Sequence, residues 1–310
     1  MRKKIIVIVG PTAVGKTALS IEAAKKFDGE VISGDSMQVY RHLNIGTAKV
    51  TKEEMKGIPH HLIDILHPGD NFSVADFQHR VRECIDDIYS RNKTVIIAGG
   101  TGLYIQSVLY DYNFSDQARS MDYQEEIEKE IKEKGIESAY NRLKTVDPDQ
   151  AAKIHPNNER RLIRALEVYD RTGFTMTEQQ QRQHESRYDP YIVGLEMERT
   201  ILYNRINRRV EAMLEQGLLE EVRRMVDQGL EYSQAMRGIG YKELLPYIKG
   251  EISLDQAVEL LKRNSRRFAK RQYTWFRNKM SVHWYGILPE TKDQVFENIL
   301  KDLEGFLRKK

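Results

Sequence analysis

The sequence predicts an α/β protein with a mainly parallel sheet flanked by helices, interrupted by a helical insertion. Three observations lead there. Short apolar runs alternate with helical patterns along most of the chain, the signature of strands joined by crossover helices. The first run, Ile5-Ile6-Val7-Ile8-Val9, leads directly into Gly10-Pro11-Thr12-Ala13-Val14-Gly15-Lys16-Thr17 and then a helical pattern. That octapeptide fits G-x-x-x-x-G-K-[ST], a loop that wraps phosphates, in the strand–loop–helix context of a P-loop NTPase-like core. Finally, strand-like runs vanish between residues 115 and 189 and return afterwards.

Taken in order, strands are expected at 5–9, 31–33, 62–66, 94–98, 191–195 and 282–285. A helix before the fourth strand presents Phe77, Val81, Cys84, Ile85 and Ile88 at helical spacing, so Cys84 reads as core. The insertion offers helices at 122–134, 137–145 and 158–172, then a polar 177–184 segment containing four glutamines. Long amphipathic helices follow at 198–216, 217–228, 239–248, 253–279 and 290–308, punctuated by Gly217, Gly229 and Gly250. The expected division is a core from 1–114 and 190–310, with 115–189 as the inserted domain.

The 310 residues, 40% hydrophobic and 31% charged, suffice for a sizeable core. A single cysteine excludes an internal disulfide and any multi-cysteine zinc cluster. No apolar run approaches the ~20 residues that span a bilayer. Met1-Arg2-Lys3-Lys4 runs straight into the first strand, unlike a secretory leader, so the expected compartment is the cytoplasm, with no membrane partner. A net charge of +3 says little by itself about a nucleic-acid partner; its distribution says more.

Gly10 and Gly15 let the backbone curl so that its N–H groups point inward, and the helix beginning near Lys16 adds the positive end of its dipole. Lys16 would reach the terminal phosphates, and the Thr17 hydroxyl would bind Mg²⁺. A nucleotide hydrolase of this fold usually carries an acid at the end of a second apolar strand. Here the 94–98 run ends in Gly99-Gly100-Thr101-Gly102. The acid stands instead at Asp35, after Val31-Ile32-Ser33-Gly34, on what would be the ligand-binding edge of the sheet. Asp35 could be a metal ligand, a general base, or a cap on the turn through Ser36. Thr101 supplies a short hydroxyl between glycines that permit close approach to a ligand.

Cations at Arg263, Arg266, Arg267, Lys270 and Arg271 form one helical stripe, with Leu261, Phe268 and Trp275 near the opposite side. No Asp or Glu lies between Lys262 and Lys279, so phosphate binding is favoured over an ordinary solvated face. Arg160-Arg161-Leu162-Ile163-Arg164 in the insertion and Arg205-Ile206-Asn207-Arg208-Arg209 are further basic clusters. Each fits RNA contact or a plain amphipathic surface equally well.

Together, GPTAVGKT, ISGDSMQVYRHLNIGTAK, PHHLIDI, ADF, AGGTGLY, IHPNNERRLIRALEVY and AKRQYTWFRNK resemble, in order and over nearly the whole chain, the tRNA dimethylallyltransferase (isopentenylpyrophosphate transferase) family. The resemblance implies transfer of a dimethylallyl group from dimethylallyl diphosphate to the N6 amine of the adenine 3′ of the anticodon in tRNA. It implies that Gly10, Pro11, Thr12, Ala13, Val14, Gly15, Lys16, Thr17 and Arg209 hold the diphosphate. Thr17 would bind Mg²⁺, with Asp35 through water. Asp35 and Thr101 would be catalytic, Asp35 taking the amine proton. Asp35, Ser36, Met37, Gln38, Arg160, Arg161, Arg164, Arg237, Gly240, Lys242, Lys270, Arg271, Gln272, Trp275 and Arg277 would contact tRNA. Eukaryotic relatives commonly append a zinc finger, so one cysteine fits the bacterial form; a monomer is expected. A small-molecule kinase, a prenyltransferase acting on free adenine nucleotide and an RNA-binding regulator with a vestigial phosphate site are the competing readings.

Overall fold

Among the described residues six strands form one sheet: β1 (Lys4–Val9), β2 (Gly29–Ser33), β3 (His60–His61), β4 (Thr94–Gly99), β5 (Asp189–Glu196) and β6 (His283–Gly286), in spatial order β3-β2-β4-β1-β5-β6. Every pairing is parallel. The structure is a computed structural model that describes residues 2–110, 121–181 and 186–309. Ile5 to Val9 of the central strand are all buried, because helices cover both faces. The sheet residues Ile6, Ile8, Ile96 and Val193 share a core with Leu19 and Ala23 of the helix Lys16–Lys26 and with Phe296, Ile299 and Leu303 of the helix Lys292–Arg308.

Three local expectations are corrected. The third strand is His60–His61 and not 62–66, because Leu62 and Asp64 take left-handed backbone angles (φ 61° and 56°); Leu66 keeps one bridge to Tyr40. The helix expected over 239–248 is reduced to the short helix Leu245–Ile248, since Gly240 sits at φ 105°. Cys84 is half-buried on the helix Val74–Ser90, whose core face is Phe77, Val81, Ile85 and Ile88.

By contact, the chain divides into one unit made of Met1–Leu109 with Arg187–Lys310 and a second, Tyr110–Ser186. The second unit has its own core of Ala139, Leu143, Ala151, Ile154, Leu162, Ala165 and Leu166. Its helix Glu159–Thr172 is capped by Asn158, which accepts from the Arg161 N–H, and ends at Gly173 in the left-handed region. Among the described residues no helix is long and apolar enough to cross a membrane.

Candidate active site

Because β2, β4 and β1 are adjacent and parallel, their carboxyl ends deliver three loops to one edge: Gly34-Asp35, Gly99-Gly100-Thr101 and the phosphate loop from Gly10. The first two nearly touch, since a Cβ on Gly99 would lie 2.3 Å from the Gly34 carbonyl oxygen. In the phosphate loop Gly10 (φ 145°) also packs so tightly that a Cβ would sit 2.6 Å from the Leu195 oxygen, and Gly15 (φ 112°) opens the helix. Ala13 takes a left-handed conformation (φ 65°) against its own side-chain preference, one mark of a loop held by its surroundings.

Those surroundings are specific. Lys16 Nζ folds back to donate to the carbonyls of Gly10 (3.0 Å) and Pro11 (2.8 Å). Arg205 Nε donates to the Ala13 carbonyl at 3.0 Å, and Arg209 Nη1 lies 3.5 Å from Thr12 Oγ1. Both come from the helix Arg199–Glu215, so Arg205 braces the loop where the sequence suggested an RNA contact as one option. Gln272, only 5% exposed, accepts the Thr12 N–H through Oε1 and donates from Nε2 to the Gly100 carbonyl, each at 3.0 Å.

Charge at this edge is concentrated on three half-buried groups, Lys16, Asp35 and Arg209. Burial, with the nearby Arg209 charge, pushes the Lys16 ammonium down to about 7, against the opposing pull of Asp35. Burial also lowers the Arg209 guanidinium, again opposed by Asp35. The Asp35 carboxyl is raised by burial, partly offset by the Met37 N–H, which donates to Oδ1 at 2.8 Å, and by Lys16. Asp35 therefore does cap its turn, through Met37 where Ser36 was expected, while still interacting with both cations. Ser36 N–H donates instead to Thr101 Oγ1 at 3.3 Å, which joins the two candidate catalytic residues through one backbone step. Thr17 is exposed at the helix start.

The basic helix runs Leu254–Lys279. Its buried face is Ala257, Leu261, Ser265, Ala269, Gln272 and Phe276, rotated from the expected Leu261, Phe268 and Trp275; the last two are half-buried. Between Leu261 and Phe276 that face is made of Ser265, Ala269 and Gln272, small or polar residues that apolar periodicity registers weakly or not at all. Arg263, Arg267 and Lys270 are exposed with no ion pair among the described residues, whereas Arg266 donates to Asn207 Oδ1 at 2.7 Å and Arg271 lies over the Phe268 ring. The Trp275 Nε1 is buried without a partner among the described residues, and its ring fills the space where a Gly102 Cβ would go.

Of the residues expected to contact tRNA, Ser36 and Met37 are partly exposed, and Arg237, Lys242, Lys270 and Arg271 are exposed. Several are drawn into the protein's own bonding, Lys242 among them through Glu243 at 3.9 Å. Gln272 bridges two loops, as above. Gln38 accepts from Ser33 Oγ and donates to the carbonyls of Thr47 and Ala48. Gly240 is buried with its N–H on Glu243, and Arg277 pairs with Glu196 at 2.6 Å. In the helical unit Arg164 is paired with Glu167 at 2.7 Å, while Arg160 and Arg161 are exposed.

A phosphate loop at the strand ends of a parallel sheet, with two half-buried cations and a half-buried carboxyl at the same edge, is the arrangement of an enzyme that handles a phosphorylated substrate. The family model for IPP transferases matches residues 38–279, and the chain belongs to that family. It is 57% identical to the tRNA dimethylallyltransferase of Oceanobacillus iheyensis, over 100% of this chain and 99% of that protein. The crystal structure of tRNA delta(2)-isopentenylpyrophosphate transferase from Staphylococcus epidermidis superposes with a TM-score of 0.73 at 49% identity, covering 98% of this chain and 99% of that one. A eukaryotic dimethylallyltransferase captured acting on tRNA gives a TM-score of 0.85 at 31% identity, covering 98% and 79%. The match to the Oceanobacillus protein, which spans all of this chain, takes in the phosphate loop and Asp35, which precede the family model's first residue.

Proposed function

We propose that this enzyme transfers the dimethylallyl group of dimethylallyl diphosphate to the N6 amine of the adenine 3′ of the anticodon in tRNA. The observation that carries this reading is the Asp35 carboxyl, half-buried at the strand-end edge that also presents the phosphate loop, where Lys16 and Arg209 hold that loop and lie close enough to Asp35 to interact with its charge. The N6 lone pair forms a bond to the allylic carbon as that carbon's bond to the diphosphate oxygen breaks, and the N6 proton passes to Asp35. The free amine is a poor nucleophile, but its N–H becomes strongly acidic as the new bond forms, so a carboxylate suffices as base. Burial makes Asp35 a stronger base than a solvated aspartate, and the two cations keep its charged form accessible.

On the donor side, Lys16, Arg209 and the N–H groups opening the helix Lys16–Lys26 stabilise charge growing on the departing pyrophosphate. Among the described residues no three His, Cys, Asp or Glu are grouped to hold a metal, which suits an ion that takes most of its ligands from phosphate and water. Thr17 would hold Mg²⁺, with Asp35 through water. Bound there, the ion would supply positive charge to the leaving group beside that of Lys16 and Arg209. We assign RNA contact to Ser36, Met37, Arg237, Lys242, Lys270, Arg271 and Trp275, and in the helical unit to Arg160 and Arg161. The target base must leave its stack, at a cost of about a few kcal/mol that backbone contacts offset. Such a reaction belongs in the cytoplasm, where tRNA is found.

The test is incubation with dimethylallyl diphosphate, Mg²⁺ and unmodified tRNA, followed by digestion and nucleoside mass analysis. Prenylated adenosine is expected. Phosphate release from ATP with no modified nucleoside would replace this reading with a small-molecule kinase, and modification of free adenine nucleotide alone would replace the acceptor.

A further inference from the structure

The helix Leu218–Asp227 carries Glu221 in its first turn, 1% exposed. Its carboxylate is filled by four donors. Oε2 accepts from the N–H groups of Asn44 (2.8 Å) and Ile45 (2.9 Å), and Oε1 from the Gly46 N–H (3.0 Å) and the Tyr241 hydroxyl (2.7 Å). Three consecutive backbone N–H groups converging on one buried carboxylate hold a loop in a single conformation, because any other leaves a charge or several donors unsatisfied. Tyr241 seals the arrangement, since a Cβ on Gly46 would lie 2.6 Å from its ring.

That loop leads to the acceptor side of the site. The next two carbonyls, Thr47 and Ala48, accept from Gln38 Nε2, and Gln38 Oε1 accepts from Ser33 at the end of β2, so Asp35, Ser36 and Met37 lie between two anchored points. Gly238, three residues before Tyr241, packs so closely on Met37 that a Cβ would lie 2.7 Å from the methionine methyl. Glu243 continues the chain of bonds, accepting from the Gly240 N–H and from Asn264 of the basic helix, each at 2.9 Å. None of these bonds reaches the phosphate loop.

We infer that Glu221 and Tyr241 are positioning residues for the acceptor: through the 44–48 loop and Gln38 they set the placement of the Asp35–Met37 segment that meets the target adenine. The inference rests on the proposed function and deepens it. It is tested with Tyr241→Phe, which removes one oxygen, and Glu221→Gln, whose amide N–H would face backbone N–H donors. Calorimetry with a non-reacting donor analogue should give wild-type affinity for both. Single-turnover prenylation at saturating donor and tRNA should fall by about 10- to 100-fold in Glu221→Gln and about tenfold in Tyr241→Phe, the scale expected when reacting groups are misplaced by a fraction of an ångström to an ångström. Where Glu221→Gln fails to fold, Tyr241→Phe decides. A wild-type single-turnover rate with only a lowered melting temperature would make the network a structural brace and overturn the inference, as would donor affinity falling in step with the rate. An inactive wild type would overturn the proposed function along with it, whereas an active wild type with equally active variants would overturn this inference alone.

Discussion

Lys16 is a residue whose titration the fold brings down to near neutral pH. In the unfolded chain its ammonium titrates near 10.5, and in the folded protein burial and Arg209 bring it to about 7. The protonated form is thus penalised in the free enzyme, and the penalty is relieved as pH rises from about 7 toward the unfolded value. An anionic diphosphate reverses that shift by supplying the missing counter-charge. Donor binding measured at about pH 8 should therefore take up a fraction of a proton, seen as a dependence of calorimetric heat on the buffer's ionisation enthalpy. Lys16→Met should abolish the uptake, and buffer-independent heat in the wild type would remove Lys16 from the donor site. For Asp35 the sign is opposite in consequence. Its raised value means the base is lost to protonation at a higher pH than a solvated aspartate, so the acidic limb of the turnover profile should lie above the ordinary carboxylate range. Asp35→Asn should leave donor and tRNA affinity near wild type while lowering turnover roughly 10²- to 10⁴-fold, the range of one general base. Retained turnover would leave Asp35 as the cap that its bond to Met37 makes it.

At the scale of elements, the basic helix Leu254–Lys279 separates two roles by face. Its buried side sends Gln272 into the phosphate loop, and its outer side carries Arg263, Arg267 and Lys270 without ion pairs among the described residues. Replacing Arg267 and Lys270 by Gln should weaken tRNA binding at low salt and reduce the slope of log affinity against log salt by about 0.7 per lost contact to single-stranded RNA, nearer 0.9 for a paired stem. Donor affinity should hold. Parallel salt plots for mutant and wild type would identify the stripe as a solvated face. The sign pattern of this helix was legible because a run without carboxylates is readable residue by residue. Its rotation was not, because Ser265 and Gln272 carry no apolar signal and Ala269 only a weak one, and Arg266 is drawn aside by Asn207 of a neighbouring helix 59 residues away in sequence. The short β3 was misplaced for a related reason, whereas the break in the 239–248 helix falls at Gly240, a residue whose type does announce it. Left-handed backbone at Leu62 and Asp64 is imposed by tertiary context that side-chain type does not announce.

On the scale of the whole molecule, two units have separate cores. Leu166→Ala in the helical unit should cost that unit about 2–5 kcal/mol, the usual range for emptying a buried leucine site, and leave donor-analogue affinity unchanged. Chemical denaturation followed alongside donor calorimetry measures both; a matching loss of donor affinity would mean that the units share their stability. The sequence by itself determined the phosphate loop, the strand–helix alternation and the acid after the second strand. Each depends on neighbours within a few residues, where glycine's freedom, helix initiation and apolar spacing act locally. Tertiary structure decided which strand ends lie side by side, how far Lys16 and Asp35 are shifted, and that Gln272 and Glu221 point inward. A glutamine or a glutamate on an amphipathic helix has the same local preferences whether it meets water or three backbone N–H groups. The difference lies in desolvation and in partners more than a hundred residues away, which local periodicity does not contain.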